Sequence, residues 1–172
     1  EQKKKKEDAI ILDPKGTKGK IIVLDNLKIQ LPEIPKDKKK ILFWNLPKEE
    51  QYWRAPEMPK GLTPETEDAF TEYILEEFRR RREGIHFYNN GEVVYLVGAH
   101  YMGLTHNRML DTGKTKEFRW AQCQLYYFMQ ACIVDDRSLG IDFVKGRRSG
   151  FTEAALDFTI NDSTSMKNAL LG

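Results

Sequence analysis

The segment from Gly140 to Phe158 constrains the fold of this chain more than any other. Residues 140–144 are short, apolar and β-branched, which is typical of a buried strand. Residues 152–158 have the composition expected for the first turns of a helix. Between them lies a basic loop that contains two glycines. A strand, such a loop and a helix in this order form the context in which backbone N–H groups bind phosphate.

The loop departs from the common phosphate-binding pattern G-x-x-x-x-G-K-[ST] in an informative way. Aligned on Gly150 and Thr152, the chain keeps the second glycine and the hydroxyl group but has Phe151 where lysine is expected. Lys145 stands at the place of the first glycine, so the cation would enter from the other end of the loop. A basic surface turn is the competing interpretation. The candidate phosphate-binding residues are Lys145, Gly146, Arg147, Arg148, Ser149, Gly150, Phe151 and Thr152.

Four stretches between Gly84 and Thr152 resemble the N-terminal part of the bacteriophage terminase large subunit, the motor that packages DNA. They are Asn89-Asn90-Gly91, Tyr95-Leu96-Val97-Gly98-Ala99-His100-Tyr101, the aromatic stretch 117–128 and the loop 145–152. Terminases are known for deviant phosphate loops with a displaced lysine. The resemblance covers a little under half of the chain and leaves residues 1–60 unassigned.

The resemblance implies an α/β protein that begins a RecA-like P-loop ATPase domain. A small N-terminal α+β region would lead into the first strand, phosphate loop and helix. Local sequence patterns predict an extended arm or linker at residues 1–60 and an α+β region at 61–137, and the resemblance implies a truncated ATPase domain at 138–172. The acidic Walker B strand and a nuclease domain would lie beyond Gly172. We therefore expect the front piece of a longer protein, which would not hydrolyse ATP by itself.

The resemblance also implies the ligands and their residues. ATP and Mg²⁺ would be the cofactors, with Lys145 and Arg147 or Arg148 at the β- and γ-phosphates and Thr152 on the metal ion. Gly150 would let the backbone approach the phosphates. The implied partners are double-stranded DNA, the portal protein, the small terminase subunit and further copies in a ring, in the host cell cytoplasm. The alternatives are a non-catalytic DNA- or portal-binding module and another P-loop ATPase such as a helicase.

Composition narrows the class of protein. With 40% hydrophobic and 31% charged residues, the chain can bury a core and keep a polar surface. A net charge of +2 means that nucleic-acid binding would depend on local clusters of basic residues. No apolar run has the length of a membrane span, and no signal peptide is evident. Cys123 and Cys132 are expected to be unpaired thiols within one helix.

The remaining elements follow from local patterns. Residues 9–12 and 20–31 resemble strands, 32–40 a linker, and 41–44 another strand or an aromatic anchor. Tyr52 and Trp53 are expected to pin an extended arm. A helix should begin at Thr63-Pro64 and end at Gly84, with an apolar stripe of Phe70, Tyr73, Ile74 and Phe78. A hairpin is expected at 85–96, a loop at 98–113 and a buried helix at 116–134.

Other residue clusters suggest binding more weakly. Residues 79–82 are four consecutive arginines that could bind phosphates or simply complement the helix dipole. The lysine runs at 3–6 and 38–40 are typical of solvated surface. His86, His100 and His106 lack the paired spacing of a zinc site, and the cysteines lack a reactive setting. An adenine contact could come from Arg119, Gln122 or Gln124, whose competing interpretation is an exposed helix edge.

Overall fold

The computed structural model describes residues 9–13, 15, 18–57, 60–61, 65–109, 112–144 and 150–165. Within them lie four helices and two small sheets, which confirms the prediction of a mixed α/β protein. The strands are β1 Ile10–Ile11, β2 Ile21–Leu24, β3 Leu27–Gln30, β4 Ile85–Asn89 and β5 Glu92–Leu96. The helices are α1 Glu67–Glu83, α2 Gly98–Thr105, α3 Trp120–Val134 and α4 Phe151–Ser165, and short 3₁₀ turns span Lys38–Lys40 and Lys48–Glu50.

The first sheet has the strand order β1-β3-β2. Strands β2 and β3 form an antiparallel hairpin, and β1 runs parallel to β3 with Ile10 opposite Ile29. The hairpin turns at Asp25 and Asn26, whose φ angles of 47° and 66° are ones that these residue types tolerate. The predicted strands at 9–12 and 20–31 are therefore confirmed.

The second sheet is the antiparallel hairpin β4–β5 that the sequence predicts. Its turn contains Asn90 and Gly91 at φ angles of 49° and 85°, as an Asn-Gly hairpin turn requires. Ile85 lies opposite Leu96 at the open end of the hairpin. Of the predicted strand at 41–44, only Leu42 forms an isolated bridge, to Phe87 of β4.

A single hydrophobic cluster joins both sheets to α2, α3 and α4. The arm before α1 contributes Trp53, whose ring contacts Phe87 at 5.3 Å and Tyr101 at 5.9 Å between centroids. Trp53 therefore pins the arm as predicted, whereas Tyr52 remains exposed. Side chains exposed by less than 2% include Ile29, Ile41, Phe87, Leu96, Val97, His100, Tyr101, Leu104, Cys123 and Asp157.

The predicted loop at 98–113 is wrong in its first half, because residues Gly98–Thr105 form helix α2. The two glycines that suggest a loop serve close packing instead. A Cβ atom at position 103 would lie 2.0 Å from Oδ2 of Asp157 in α4, so Gly103 lets α4 approach α2. Every residue from Gly98 to Leu104 is buried, and this tertiary packing overrides the weak helix propensity of glycine.

The predicted strand at 140–144 is also wrong. These residues lie outside any helix or strand, and Val144 is fully exposed. A strand needs a hydrogen-bonded neighbour, and among the described residues neither sheet pairs with this segment. Phe143 anchors it against Phe128 at 5.9 Å and Phe151 at 4.7 Å between ring centroids, and Ile141 packs against the core cluster.

Helix α1 begins at Glu67 with Thr66 as its N-cap, later than the predicted start at Thr63-Pro64, and ends at Glu83 with Gly84 as its C-cap, as predicted. The predicted cap at Thr63 and Pro64 lies outside the described residues. The apolar stripe does not enter the core, since the only buried residue of α1 is Glu77. None of the described helices combines the length and apolarity needed to cross a membrane.

Helix α3 confirms the buried helix predicted at 116–134, although it begins four residues later, at Trp120. Its buried residues are Cys123, Leu125, Tyr126, Tyr127, Met129 and Ala131. Its ends are less buried than the uniform apolar pattern suggests, because Trp120, Ile133 and Val134 are exposed.

Candidate phosphate-binding site

The candidate site lies where helix α4 begins. Lys145, Gly146, Arg147, Arg148 and Ser149 lie outside the described residues, which resume at Gly150. Gly150 adopts a φ of 78°, a left-handed conformation that favours glycine. Helix α4 starts at the next residue, Phe151, and Thr152 is an exposed residue of its first turn. The basic segment thus leads directly into a helix N-terminus, whose first N–H groups lack intrahelical partners.

The N-terminal end of α3 lies beside the same point. A Cβ atom at position 150 would lie 2.6 Å from Nε2 of Gln122, so this side chain packs directly against Gly150. One turn later in α3, the ring of Tyr126 stacks on Phe158 of α4 at 5.6 Å between centroids. The N-terminal ends of α3 and α4 therefore lie close together.

The three residues predicted as possible adenine contacts, Arg119, Gln122 and Gln124, lie in different surroundings. Of the three, Gln122 alone is half-buried and in contact with Gly150. Arg119 is the exposed N-cap residue of α3, and Gln124 is exposed further along the helix. Gln122 is therefore the candidate that lies beside the predicted phosphate loop.

Asp157 holds α4 in place through a buried polar network that the sequence analysis did not identify. Its carboxylate is 1% exposed and accepts hydrogen bonds from Tyr126 and Asn107. Lys116 Nζ lies 3.2 Å from Oδ2 of Asp157 and 3.5 Å from Oε2 of Glu153. Burial and the neighbouring carboxylate raise the pKa of Tyr126, so its hydroxyl remains a donor. The sequence feature that indicates this network is a single aspartate within the otherwise apolar residues 154–158.

This network lines one side of an open cleft of about 740 Å³ between α4 and the segment after α2. Met109, Leu156 and Ile160 form apolar parts of its lining, and His106 and Arg108 contribute polar groups. The acidic Glu153 lies in the first turn of α4, where Lys116 offsets its charge. Lys116 also faces Asp157, so one ammonium group lies against two carboxylates here.

His100 lies in the interior beside this network. Its ring stacks on Tyr126 at 4.1 Å between centroids, with 7° between the planes, and on Phe118 at 6.0 Å. Neither ring nitrogen has a hydrogen-bond partner among the described residues. Burial, followed by the nearby positive charge of Lys116, lowers the pKa of His100 to about 3. The ring is therefore neutral at physiological pH.

Most of the arginine run at the end of α1 is engaged within the molecule. Arg79 pairs with Glu76 at 2.7 Å, and Arg80 pairs with Glu77 at 2.8 Å. Arg81 donates hydrogen bonds to Asn161 and Thr164 of α4. Arg82 pairs with Glu83 yet keeps a side chain that is 75% exposed, so it is the member most accessible to a partner.

The cysteines lie in α3, as the sequence predicts, and both are free thiols. Cys123 is fully buried and donates a weak hydrogen bond to the carbonyl oxygen of Tyr95 at 3.7 Å. Burial raises its pKa to about 12, so the thiol is protonated and unreactive. Within the described residues, no group of three or more His, Cys, Asp or Glu side chains could hold a metal ion.

Comparison with known proteins identifies no relative: no protein-family model, curated protein or solved structure matches this chain.

Proposed function

We propose that this chain is the leading part of a terminase large subunit and that residues 145–152 bind the phosphates of ATP. One observation carries the proposal beyond the resemblance. The basic segment enters helix α4 at Phe151, beside the N-terminal end of α3, and Gln122 contacts Gly150 there. Two positive helix ends that lie close together, where a basic sequence precedes α4, favour an anion.

Each residue of the site has a distinct task under this proposal. Lys145 and the arginines Arg147 and Arg148 neutralise charge on the β- and γ-phosphates, where phosphoryl transfer develops negative charge. Gly150 would let the backbone approach the phosphates, because its φ of 78° is a left-handed conformation that favours glycine. Thr152, in the first turn of α4, would bind Mg²⁺, which neutralises phosphate charge when bound.

The finer fold belongs to the same proposal. A RecA-like unit requires residues 140–144 to pair as a strand, and they are unpaired among the described residues. Under the proposal, strands supplied by a longer protein pair with this segment, whose exposed Phe143 and Val144 are then covered. The carboxylate that orients the attacking water would come from that part as well. The motor would act on double-stranded DNA with the portal protein, the small terminase subunit and further copies in a ring, in the host cell cytoplasm.

The experiment is ATP binding by this chain, measured by isothermal titration calorimetry with Mg²⁺ present. We expect Lys145→Ala to weaken binding by about tenfold or more, because it removes a charge contact to the phosphates. Lys38→Ala, in an exposed 3₁₀ turn, is the matched control and should leave the affinity unchanged. Thr152→Ala should weaken binding with Mg²⁺ and have little effect when EDTA replaces it.

Equal ATP affinity for the wild type and Lys145→Ala would show that the loop does not hold the phosphates. Binding of double-stranded DNA or of portal rings that Lys145→Ala leaves unchanged, without any ATP binding, would favour the non-catalytic module instead. A helicase is distinguished by the intact protein, because a terminase carries a metal-dependent nuclease domain and a helicase does not.

A further inference from the structure

Helix α1 carries an apolar flank outside the core. Phe70, Ile74 and Phe78 recur every fourth residue, so they form a continuous row along one flank of the helix. Phe78 is 49% exposed, its neighbour Leu75 is 65% exposed, and Phe70 and Ile74 are half-buried. Neither the core cluster nor the described side chains packed against it include any member of this row. We call Phe70, Ile74 and Phe78 the α1 row.

The rest of the molecule holds α1 through its C-terminal half. Tyr101 of α2 donates a hydrogen bond to Glu77 at 2.6 Å, and Arg81 bonds to Asn161 of α4 at 3.2 Å. Among the described residues, no side chain of residues 67–75 makes a hydrogen bond or ion pair with another element. Within the described residues, the polar contacts that hold α1 therefore involve its C-terminal half and no member of the row.

The charges of α1 are divided between its two halves. All charged residues from 67 to 77 are acidic, and residues 79–82 are all arginine. Within the described residues, Glu67, Asp68 and Glu72 form no ion pair, and Arg82 is 75% exposed at the other end. One surface of this helix is thus apolar in the middle, acidic at the start and basic at the end.

We propose that the α1 row is the interface of a two-fold dimer in which the α1 helices of two copies pack antiparallel. The row is symmetric about Ile74, so this arrangement places Ile74 against Ile74 of the other copy and Phe70 against Phe78. It also brings the acidic start of each helix to the arginine end of the other. Such a surface is self-complementary, as a closed two-fold dimer requires.

The charges of α1 favour a second copy of this helix as the partner, and they favour an antiparallel over a parallel arrangement. A parallel pair would place acid against acid and arginine against arginine, which is unfavourable. An antiparallel pair lets Glu67 and Asp68 reach the exposed guanidinium of Arg82, and symmetry makes each contact twice. This inference is independent of the proposed ATP site, because no residue of the α1 row belongs to residues 145–152.

The first test is sedimentation equilibrium of the full 172-residue chain between about 1 µM and about 1 mM, a range that covers weak interfaces. We expect a concentration-dependent dimer. Arg82→Glu should weaken association about tenfold or more, and the exchange Glu67→Arg with Arg82→Glu should restore it. Glu49→Arg, which changes an exposed charge in a 3₁₀ turn, should have no effect.

A covalent trap tests the register directly. Ile74→Cys should form an interchain disulfide on mild oxidation, because the two copies meet at this residue. Glu72→Cys lies on a different flank of the same helix and should not cross-link. Circular dichroism confirms that each variant is folded. A monomer at every concentration, a dimer that Phe78→Ser leaves unchanged, or equal cross-linking of both cysteine variants would each overturn the proposal.

Discussion

At the scale of single residues, His100 is a buried polar group in an apolar setting. Its ring stacks between Phe118 and Tyr126, and its side chain has no hydrogen-bond partner among the described residues. Burial without a partner disfavours the charged imidazolium. The folded-state pKa of about 3 therefore lies well below the ordinary value of 6.5.

This lowered pKa couples stability to pH. Below pH 6.5, His100 becomes protonated in the unfolded chain, whereas in the folded chain it stays neutral until the pH falls to about 3. Stability is therefore complete above pH 6.5 and decreases as the pH falls toward 3. Between pH 7 and pH 5 this residue alone should remove about 2 kcal/mol from the free energy of unfolding.

His100→Phe keeps the stacked ring and removes the titrating group. Urea unfolding at pH 7 and pH 5 should show a loss of stability that is smaller by about 2 kcal/mol in His100→Phe than in the wild type. The residual dependence includes His86, whose pKa burial lowers to about 4. Identical losses in the two proteins would mean that His100 is charged or hydrogen-bonded in the folded state.

At the scale of elements, Gly103 and Asp157 form an especially close pair in the contact between α2 and α4. Asp157 approaches the glycine so closely that a Cβ atom there would lie 2.0 Å from its carboxylate. The same carboxylate accepts hydrogen bonds from Tyr126 of α3 and from Lys116, which lies in the segment before α3. One aspartate therefore fixes the position of the helix that follows the candidate phosphate loop.

A double-mutant cycle measures this coupling. Asp157→Ala should lower the free energy of unfolding by about 3 kcal/mol, since it leaves the largely buried Lys116 without its principal partner. Gly103→Ala should also destabilise the wild type, but much less in the Asp157→Ala background, where the clash is gone. Additive effects of the two changes would show that the helices do not meet at this pair. Asp162→Asn, at an exposed position of α4, serves as the control.

At the scale of the whole molecule, the arm before α1 belongs to the common core. Trp53 is 9% exposed and makes edge-to-face contacts with Phe43, Phe87 and Tyr101. Trp53→Ala should lower the free energy of unfolding by about 3–5 kcal/mol, as for other large-to-small changes in a core. Trp44→Ala, at a tryptophan that is 41% exposed, should have a much smaller effect. Similar losses for both variants in urea unfolding would contradict this role for Trp53.

Local signals predicted the elements whose causes are local. The hairpins at Asp25-Asn26 and Asn90-Gly91 follow from residues that tolerate positive φ, and α1 stops at Gly84 for the same reason. The apolar composition of α3 was sufficient to predict a buried helix. Composition also indicated a helix after the basic loop, which is observed from Phe151.

Tertiary structure decided the features that depend on a neighbour. Residues 140–144 have the composition of a strand, but a strand forms only where another supplies hydrogen bonds. Helix α2 contains glycines, which are typical of a loop. It forms because Gly98 and Gly103 are small enough to let the helix pack closely against Arg81 and Asp157. The pairing of Asp157 with Lys116 joins residues 41 positions apart, a distance over which periodicity carries no information. Sequence alone thus determined the hairpin turns and the helices α1, α3 and α4, whereas packing determined helix α2 and which side chains meet.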